Sequence, residues 1–599
     1  LLLSSKIIGE VIFEKIKIRQ KDILHSLVQI SLGLGIYATL IGAIVYFPIN
    51  NKFLYCIFLS IPIFIFFKKP KIYFYKINLF MNEMNHFFVK NFWSGFIFLT
   101  ILFLYLVVAL LPDFQNDALA MHLFIPSFVS AHSQWFFDFQ SYIWACWPLN
   151  GDWIFTILYV LGGETSVRLG NFSFLLIILG FLLCLISRFI SKDYALLGGI
   201  ILLTTPITYL EISTVYVEFI WAIFLLSGIL MALLFYEKKL TKYLYIAFVF
   251  FGIALSTKMI TFAFFIPLFP ILIYFIYNNY SRDYKKIIFN SSLILLFFGI
   301  EPYLISFIKT GNPVFPLFNG IFKSEYLPAI NFNTPLYQSK LNFLSLRDVT
   351  FYSNRFIEGS PGAIGFLYFL LLPVSVAISF INQTKYSRLL FSISLCFVFV
   401  VFQMQSYLRY IYPIFPLIIF YMLQSFASIA QKMKSLYRKV MVFFVWAIIF
   451  LGLPYFLSCT QSYKIFNAQA FLSATEMNSF IRKHSPVRAA VIDINNDITR
   501  DSRVAFFSHP YGAGLKGHAI YANWYNNDFI FSVYAAQTKD DMMKLLENYH
   551  IETIILDENF NPGGGFPHIV PILKEITEPK EDYGHGISTR IFNKKLIDS

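Results

Sequence analysis

A series of long apolar runs between residues 26 and 457 constrains this chain more than any other feature. Each run is about 15 to 22 residues long, and roughly 20 apolar residues are enough to cross a membrane as a helix. Charged residues make up only 14% of the sequence, against roughly 25% in soluble proteins. The sequence excludes a soluble enzyme and predicts a polytopic α-helical membrane protein with about 13 transmembrane helices. The apolar runs are residues 26–47, 53–67, 92–111, 166–187, 193–209, 218–236, 242–256, 259–279, 286–307, 362–381, 387–404, 409–427 and 439–457.

The basic residues between the runs fall on one side of the predicted membrane. Successive loops between the apolar runs must lie on alternate sides of the membrane, and the basic clusters all lie in loops of the same side. Lysine and arginine accumulate in cytoplasmic loops, so this side and the N-terminus are predicted to be cytoplasmic. We therefore predict a multi-pass protein of the inner or plasma membrane. The clusters are residues 68–71, 188–192, 237–242, 282–286, 385–388 and 432–439.

Three regions follow from this pattern. Residues 1–91 hold a basic cytoplasmic lead and two extra transmembrane helices. Residues 92–458 form a transmembrane module with long outer loops at 112–165 and 308–361. Residues 459–599 form an extracytoplasmic soluble domain. A short apolar segment in the first outer loop cannot cross the bilayer, so it is predicted to lie along the membrane surface as a helix, at residues 152–162.

The C-terminal domain has the alternation of strands and helices typical of an α/β fold. Its glycines do not form a dinucleotide-binding pattern, and no phosphate-loop motif occurs in the chain, so nucleotide chemistry is not supported. The five cysteines form no disulfide framework. The predicted strands are residues 489–494, 503–507 and 553–557, and the predicted helix is residues 538–550.

Two carboxylates stand at the start of the first outer loop. Asp113 and Asp117 are four residues apart, on one face if the segment is helical. Ionisable groups at a membrane boundary are functional candidates, and a carboxylate there can take a proton from an acceptor hydroxyl as general base. Aspartate also caps helix N-termini well. We predict Asp117, and second Asp113, as catalytic residues, with helix capping as the alternative for each.

The other outward-facing ionisable residues are one acid and four cations. Glu218 can bind a sugar hydroxyl, a metal or a basic partner, or form a salt bridge within the bundle. Lys258 is a compact charge suited to a phosphate, although lysines at helix ends also snorkel to the interface. Arg347, Arg355 and Arg409 complete the set. Together these cations are predicted to bind a phosphate headgroup.

His122 and His132 raise the question of a metal site. The chain has no HExxH motif, cysteine pair or histidine cluster. A histidine on an amphipathic surface is the better interpretation, so no metal ligands are predicted. A Ser-His-Asp hydrolase is also unsupported, because no Gly-x-Ser-x-Gly motif occurs.

Eight short motifs occur in a fixed order along the module: DALAMH at 117–122, WPLNGD at 147–152, LGGETSVRL at 161–169, TP at 205–206, YVE at 216–218, GIALSTK at 252–258, TGNPVFP at 310–316 and RY at 409–410. In order and sidedness they resemble the GT-C superfamily of membrane glycosyltransferases, which use polyprenyl-phosphate-linked sugars. The similarity is closest to the branch with protein mannosyltransferase-like and aminoarabinose-transferase-like enzymes, glycosyltransferase family 39-like. It covers roughly residues 92–457.

This resemblance implies roles for individual residues. Asp117 would be the catalytic base, Glu218 the second acid near the donor or acceptor, and Lys258 a ligand of the lipid phosphate. We group His122 with Glu218 as a positioning residue. The chain departs from the family in carrying glutamate at 218, where many relatives have aspartate, and in its two extra spans.

The implied function is transfer of a hexosyl or pentosyl group on the outer face of the membrane. The donor would be a polyprenyl-phosphate sugar and the acceptor a glycan, lipid or protein, with membrane lipids around the site and no nucleic acid partner. The residues assign no cofactor apart from the polyprenyl-phosphate sugar itself, and they are compatible with a divalent metal.

Two alternatives use the same features differently. An O-antigen-type polymerase or ligase would depend on arginines in late outer loops rather than on Asp117. A lipid or glycolipid transporter or flippase would place charges near the middle of broken helices, whereas here they gather at the outer ends.

Overall fold

The computed structural model describes residues 1–18, 22–66, 92–331, 339, 341–342, 344–356, 364–382, 385–458, 468–471 and 473–592. The predicted basic cluster at 68–71 lies outside these ranges, as do parts of the predicted outer loop 308–361 and of the predicted domain 459–599.

The described chain is mostly helical. A π-helical turn at Ala118–His122 and a 3₁₀ segment at Leu408–Ile414 belong to the site discussed below. The α-helices are α1 (Leu2–Lys15), α2 (Ile23–Ile44), α3 (Lys52–Phe66), α4 (Phe92–Ala109), α5 (Phe124–His132), α6 (Asn150–Phe189), α7 (Ala195–Leu203), α8 (Pro206–Ser213), α9 (Glu218–Lys238), α10 (Thr241–Thr257), α11 (Thr261–Asn279), α12 (Tyr284–Gly299), α13 (Glu301–Thr310), α14 (Asn319–Phe322), α15 (Ser345–Phe351), α16 (Phe366–Asn382), α17 (Lys385–Met404), α18 (Phe415–Ala430), α19 (Ser435–Ser458), α20 (Ala474–His484), α21 (Pro486–Ile494), α22 (Asn527–Ala535), α23 (Lys539–Asn548) and α24 (Ile569–Ile576).

The apolar helices coincide with the predicted runs. Within the described ranges, seven helices are long and apolar enough to cross a membrane, or up to nine if each of two bent pairs is one span. The bent pairs are α7 with α8 and α12 with α13, and the remaining runs form shorter apolar helices such as α3 and α10. The polytopic helical fold class is therefore confirmed, while the total of about 13 spans stays a prediction.

Helices α1 and α2 form a tightly packed antiparallel hairpin. A Cβ atom added to Gly9 would lie 2.1 Å from the carbonyl oxygen of Gln29, and one added to Gly33 would lie 2.0 Å from that of Ser5. Small residues let the backbones of membrane helices approach this closely. The segment predicted as a cytoplasmic lead is thus largely a helix packed along α2.

The close crossing gives a stability prediction. Gly33→Ala forces α1 away from α2, so we expect it to lower the free energy of unfolding by about 1–3 kcal/mol, the usual effect of overpacking. The measurement is denaturant or thermal unfolding of the purified protein in detergent. Gly452→Ala is the matched control, because a Cβ there meets no atom within 4 Å. Equal stability of the two variants would contradict the packing.

Helix α6 bends at Gly162 and Gly163, and Gly163 has the left-handed φ of 67°. The part before the bend matches the helix predicted at 152–162, but Trp153 and Phe155 are buried. A Cβ atom on Gly42 of α2 would lie 3.2 Å from the indole of Trp153. This helix therefore packs inside the protein rather than along the membrane surface as predicted, because both of its faces meet protein.

The C-terminal domain contains a five-stranded mixed sheet with strand order β2-β1-β3-β5-β4. Strand β1 pairs in parallel with β2 and with the central strand β3, and β5 pairs antiparallel with β3 and β4. The predicted strands at 503–507 and 553–557 and the predicted helix at 538–550 are confirmed. The strands are β1 (Arg503–Phe507), β2 (His518–Tyr521), β3 (Ile551–Asp557), β4 (Glu578–Asp582) and β5 (Ile587–Ile591).

One strand prediction is wrong. Residues 489–494 belong to helix α21, which begins at Pro486, a residue favoured in the first turn of a helix. Four of its buried residues, Val487, Ala490, Val491 and Ile494, follow the i, i+3, i+4, i+7 spacing of one helix face. A short apolar run such as 489–494 fits a strand or a buried helix, and here the chain forms the helix.

The domain is docked on one end of the bundle, which we call the loop end because it carries residues 112–165. The backbone N–H of Ala513 donates to the carbonyl of Leu119 at 3.0 Å, and that of Ile143 donates to the carbonyl of Tyr525 at 2.8 Å. These contacts fix the domain directly beside the segment that carries Asp117.

Candidate active site

Four charged side chains meet at the loop end and form what we call the charge cluster: Asp117, Glu218, Lys258 and Arg409. Arg409 Nη2 lies 2.5 Å from Asp117 Oδ2, and Arg409 Nε lies 3.4 Å from Glu218 Oε1. Lys258 Nζ donates to the same Glu218 oxygen. The cluster is therefore a chain of alternating charges, two acids and two bases, with no net charge.

Each member stands at the boundary of a helical segment. Asp117 precedes the π-helical turn, Glu218 is the first residue of α9, and Lys258 follows the last residue of α10. An acid at a helix N-terminus and a cation at a C-terminus are both favoured by the helix dipole. Arg409 lies in the 3₁₀ segment before α18. Four segments distant in sequence thus bring their ends to one place.

Aromatic rings support the two cations. Lys258 Nζ lies 4.0 Å from the ring centre of Tyr410 and 5.6 Å from that of Trp221. The Arg409 guanidinium lies 4.3 Å from the ring centre of Tyr216. A desolvated cation over an aromatic face gains roughly 2 kcal/mol. These rings help to hold both cations at the edge of an apolar bundle.

Asp117 is the most exposed member of the cluster. Its side chain is 38% exposed, that of Lys258 is 13% exposed, that of Arg409 is 6% exposed and that of Glu218 is fully buried. Burial opposes ionisation of Asp117, but the neighbouring Arg409, His122 and Lys258 together outweigh it and hold the pKa of Asp117 below its usual range. At neutral pH the cluster therefore presents an ionised, accessible carboxylate.

His122 is held beside the cluster by a second acid. Its Nδ1 lies 2.7 Å from Asp152 Oδ1, and both side chains are nearly buried. The imidazole also meets the Tyr216 ring edge to face, with centres 6.3 Å apart. A carboxylate on Nδ1 fixes the orientation of a histidine ring and leaves Nε2 as the other functional nitrogen.

Asp113 occupies a different environment. Its carboxylate is completely buried and accepts hydrogen bonds from Arg168 at 3.0 Å, from the hydroxyl of Thr214 at 3.0 Å and from the backbone N–H of Val215 at 2.6 Å. Arg488 of the C-terminal domain donates to the carbonyl of Asp113. The structure does not bring Asp113 into the charge cluster, and its contacts indicate an anchor for the loop end.

Because the two aspartates lie in different surroundings, replacing each by asparagine should change the free energy of unfolding by different amounts. Asp113→Asn removes the charge partner of buried Arg168, so the free energy of unfolding should fall by on the order of 3 kcal/mol. Asp117→Asn should lower the free energy of unfolding much less, because Asp117 is partly exposed and Arg409 still has Glu218 as an ion-pair partner. Thermal unfolding of both variants in detergent measures this, and an equal loss in both would contradict the anchor role.

Arg347 and Arg355 are brought together, but with a different acid. Both pair with Asp348, at 2.7 and 3.3 Å, and both stack near the ring of Tyr352. Within the ranges that the structure covers, neither forms an ion pair with Asp117 or Glu218. Their predicted binding of the donor phosphate therefore gains no support from their contacts.

Several residues around the cluster were not predicted from the sequence. Asp152, Tyr216 and Tyr410 lie within three of the short motifs, which is the signal that marks them. Tyr511 and Tyr525 come from the C-terminal domain, and burial, followed by the Asp117 carboxylate, raises the pKa of both. The soluble domain thus forms part of the wall around Asp117.

Within the described part of the chain, no group of three or more His, Cys, Asp or Glu side chains is arranged to hold a metal ion.

The chain is similar to known proteins in two ways. Residues 147–305 match the family model for dolichyl-phosphate-mannose-protein mannosyltransferase. Over the whole fold, the chain is similar to the crystal structure of ArnT from Cupriavidus metallidurans bound to undecaprenyl phosphate, with a TM-score of 0.54 and 13% identity over 84% of this chain and 98% of that one. The apo form of the same ArnT gives a TM-score of 0.52 and 14% identity, over 85% and 99%. A search of curated proteins finds no sequence match.

These comparisons confirm the resemblance to the GT-C glycosyltransferases. The family model covers Asp152, Glu218 and Lys258, so that part of the site lies in the matched segment. Asp117 and Arg409 lie outside it. The likeness to ArnT establishes the fold on both sides of the segment.

Proposed function

We propose that this chain transfers a sugar from a polyprenyl-phosphate donor to an acceptor on the outer face of the membrane. The observation that carries the proposal is the charge cluster, in which two cations and an accessible carboxylate meet at one end of an apolar bundle. An ArnT of the same fold binds undecaprenyl phosphate. A lipid-linked donor needs this combination of an apolar path for its chain and positive charge for its head.

Lys258 and Arg409 bind the donor phosphate in this proposal. Both are paired with carboxylates, so neither positive charge is buried without an opposite charge beside it. When the bond from the anomeric carbon to the phosphate oxygen breaks, negative charge grows on the phosphate. Fixed cations at that position stabilise the transition state more than the ground state.

Asp117 acts as general base. The acceptor hydroxyl loses its proton to Asp117 as its oxygen bonds to the anomeric carbon, and polyprenyl phosphate leaves with the electrons of the broken bond. The exposed carboxylate of Asp117 suits this role, since a base must reach the proton it accepts. Glu218 stays buried and holds the two cations in register.

His122 positions the acceptor or the donor sugar. Asp152 orients its ring, and the ring faces Tyr216, which itself supports Arg409. We omit Asp113, Arg347 and Arg355 from the catalytic step because their contacts lie elsewhere.

The role of Asp117 is tested by Asp117→Asn. We expect transfer to fall by roughly 10²- to 10⁴-fold, the usual contribution of a general base. The measurement is mass spectrometry of cell-envelope glycans and glycolipids from cells that lack the gene and are complemented with either form. Asp528→Asn, on an exposed turn of α22, is the control. Wild-type glycan composition with Asp117→Asn, at equal protein level in the membrane, would contradict the proposal.

The phosphate-binding role is tested separately by Lys258→Gln. A hydrogen bond from a charged group contributes roughly 1.5–3 kcal/mol, so binding of undecaprenyl phosphate should weaken by about tenfold or more. Native mass spectrometry or thermal shift of the purified protein in lipid nanodiscs gives the affinity. Lys242→Gln is the matched control, because the Lys242 amine donates to the carbonyl of Lys17 and lies near the ring of Tyr243, away from the charge cluster. Equal affinity of the two variants would overturn the assignment.

A further inference from the structure

A cavity of about 600 Å³ lies between the first outer loop and the C-terminal domain. It has a size typical of small-ligand pockets, roughly 300–1,000 Å³. One wall comes from residues 124–145 and the other from strands β1 and β2 with their flanking residues. The cavity is distinct from the charge cluster, since none of the four cluster residues lines it.

The wall on the loop side is aromatic. Phe128, Phe136 and Tyr142 line the cavity, and the Phe136 side chain is 48% exposed. The ring of Phe136 meets that of Phe128 edge to face, with centres 5.8 Å apart. Aromatic faces carry negative potential, and the C–H groups on one face of a sugar ring carry partial positive charge. An exposed ring at the opening of a pocket is suited to pack against such a face.

The opposite wall is polar. Arg503 and His518 are paired positions of the neighbouring parallel strands β1 and β2, so they stand side by side. Arg503 uses one N–H group on the carbonyl of Tyr549 and has further donors. Asp501 also lies in this wall, and Asp138 adds a carboxylate from the loop side. Donors and acceptors are thus mixed around the cavity, as the hydroxyl groups of a sugar require.

This composition argues against other ligands. An acyl chain would displace water from the exposed Asp138, Asp501 and Arg503 side chains and offer them no hydrogen bond in return, which is costly. A phosphate would meet two carboxylates against a single arginine and would be repelled. A ligand rich in hydroxyl groups, with apolar ring faces and no charge, satisfies both walls.

The cavity is close to the proposed catalytic base. Tyr142, in its wall, donates its hydroxyl to the carbonyl of Ala120 at 2.8 Å, three residues after Asp117. Tyr142 also packs against Tyr525, with ring centres 5.9 Å apart. Tyr525 in turn lies near enough to Asp117 to sense its charge. Tyr142 and Tyr525 therefore separate the cavity from the charge cluster by little more than one layer of side chains.

We propose that this cavity is a subsite for a saccharide acceptor, formed jointly by the first outer loop and the C-terminal domain. One sugar unit packs on Phe136 and bonds to Asp138 and Arg503, and the glycan passes over the wall formed by Tyr142 and Tyr525 to present a hydroxyl to the partly exposed carboxylate of Asp117. The acceptor is then a glycan rather than a protein or a bare lipid. This inference rests on the proposed transferase function and names its acceptor class.

The first test measures saccharide binding directly. Chitotetraose, maltotetraose and mannotetraose are titrated into the purified protein, with a serine- and threonine-rich hexapeptide as the competing class. Quenching of tryptophan fluorescence reports binding, because Trp135 lines the same cavity. We expect at least one saccharide to bind, with affinity reduced roughly two- to tenfold by Phe136→Ala and about tenfold by Arg503→Gln. Phe136→Tyr should restore binding.

Phe531→Ala is the matched control, because Phe531 is also an exposed phenylalanine, on α22 and outside the cavity. It should leave binding unchanged. Binding of the peptide alone, of no saccharide, or of saccharides equally well to Phe136→Ala and the wild type would each overturn the subsite.

The second test identifies the product. Linkage analysis of the envelope glycans should place the added sugar on a sugar hydroxyl, and Phe136→Ala and Arg503→Gln should reduce that product while undecaprenyl phosphate binding is unchanged. A sugar added to a serine, a threonine or a lipid hydroxyl would overturn the glycan acceptor while leaving the transferase function standing. A normal product with Asp117→Asn would instead remove the proposed function, and the fluorescence titration would then decide the subsite alone.

Discussion

Four charges packed against one another at the end of an apolar bundle are the constraint on which the rest of this structure depends. Removing any one from water costs several kcal/mol unless an opposite charge compensates it. Alternation along Asp117, Arg409, Glu218 and Lys258 provides that compensation, and the tyrosine and tryptophan faces shield the cations. The arrangement needs α9, α10, the 3₁₀ segment before α18 and the first outer loop to end at one level. The fold thus places these opposite charges in contact, which offsets the free-energy cost of burying them.

Much of this arrangement could be predicted from the sequence. The one-sided distribution of basic residues places Asp117, Glu218, Lys258 and Arg409 at the same end of their helices, and a shared end in a compact bundle brings them near one another. Which cation pairs with which acid could not be predicted. The alternation of basic loops predicts on which side of the membrane each residue lies, but it does not predict which helices are neighbours. Asp113 is an example: it lies in the same loop segment as Asp117, but its carboxylate is buried and pairs with Arg168. The strand predicted at 489–494 is part of the helix at 486–494, because a short run of apolar and small residues fits both the strand period of two and the helical period.

The C-terminal domain is part of the site rather than an appendage. Its loop around Ala513 bonds to the carbonyl of Leu119, two residues from Asp117, and its Arg488 reaches Glu164 and the backbone of Asp113. A domain held this way encloses the space beside Asp117. In the proposed function, the lipid-linked donor reaches this carboxylate along the apolar helices and the acceptor reaches it beside the C-terminal domain.

We propose that Lys258 and Arg409 bind the lipid phosphate beside Asp117. A cryo-electron microscopy structure of the protein in nanodiscs with undecaprenyl phosphate tests this proposal. We expect phosphate density within hydrogen-bonding distance of both cations, with the lipid chain running along the apolar helices. Phosphate density against Arg347 and Arg355, with the charge cluster unchanged, would contradict it.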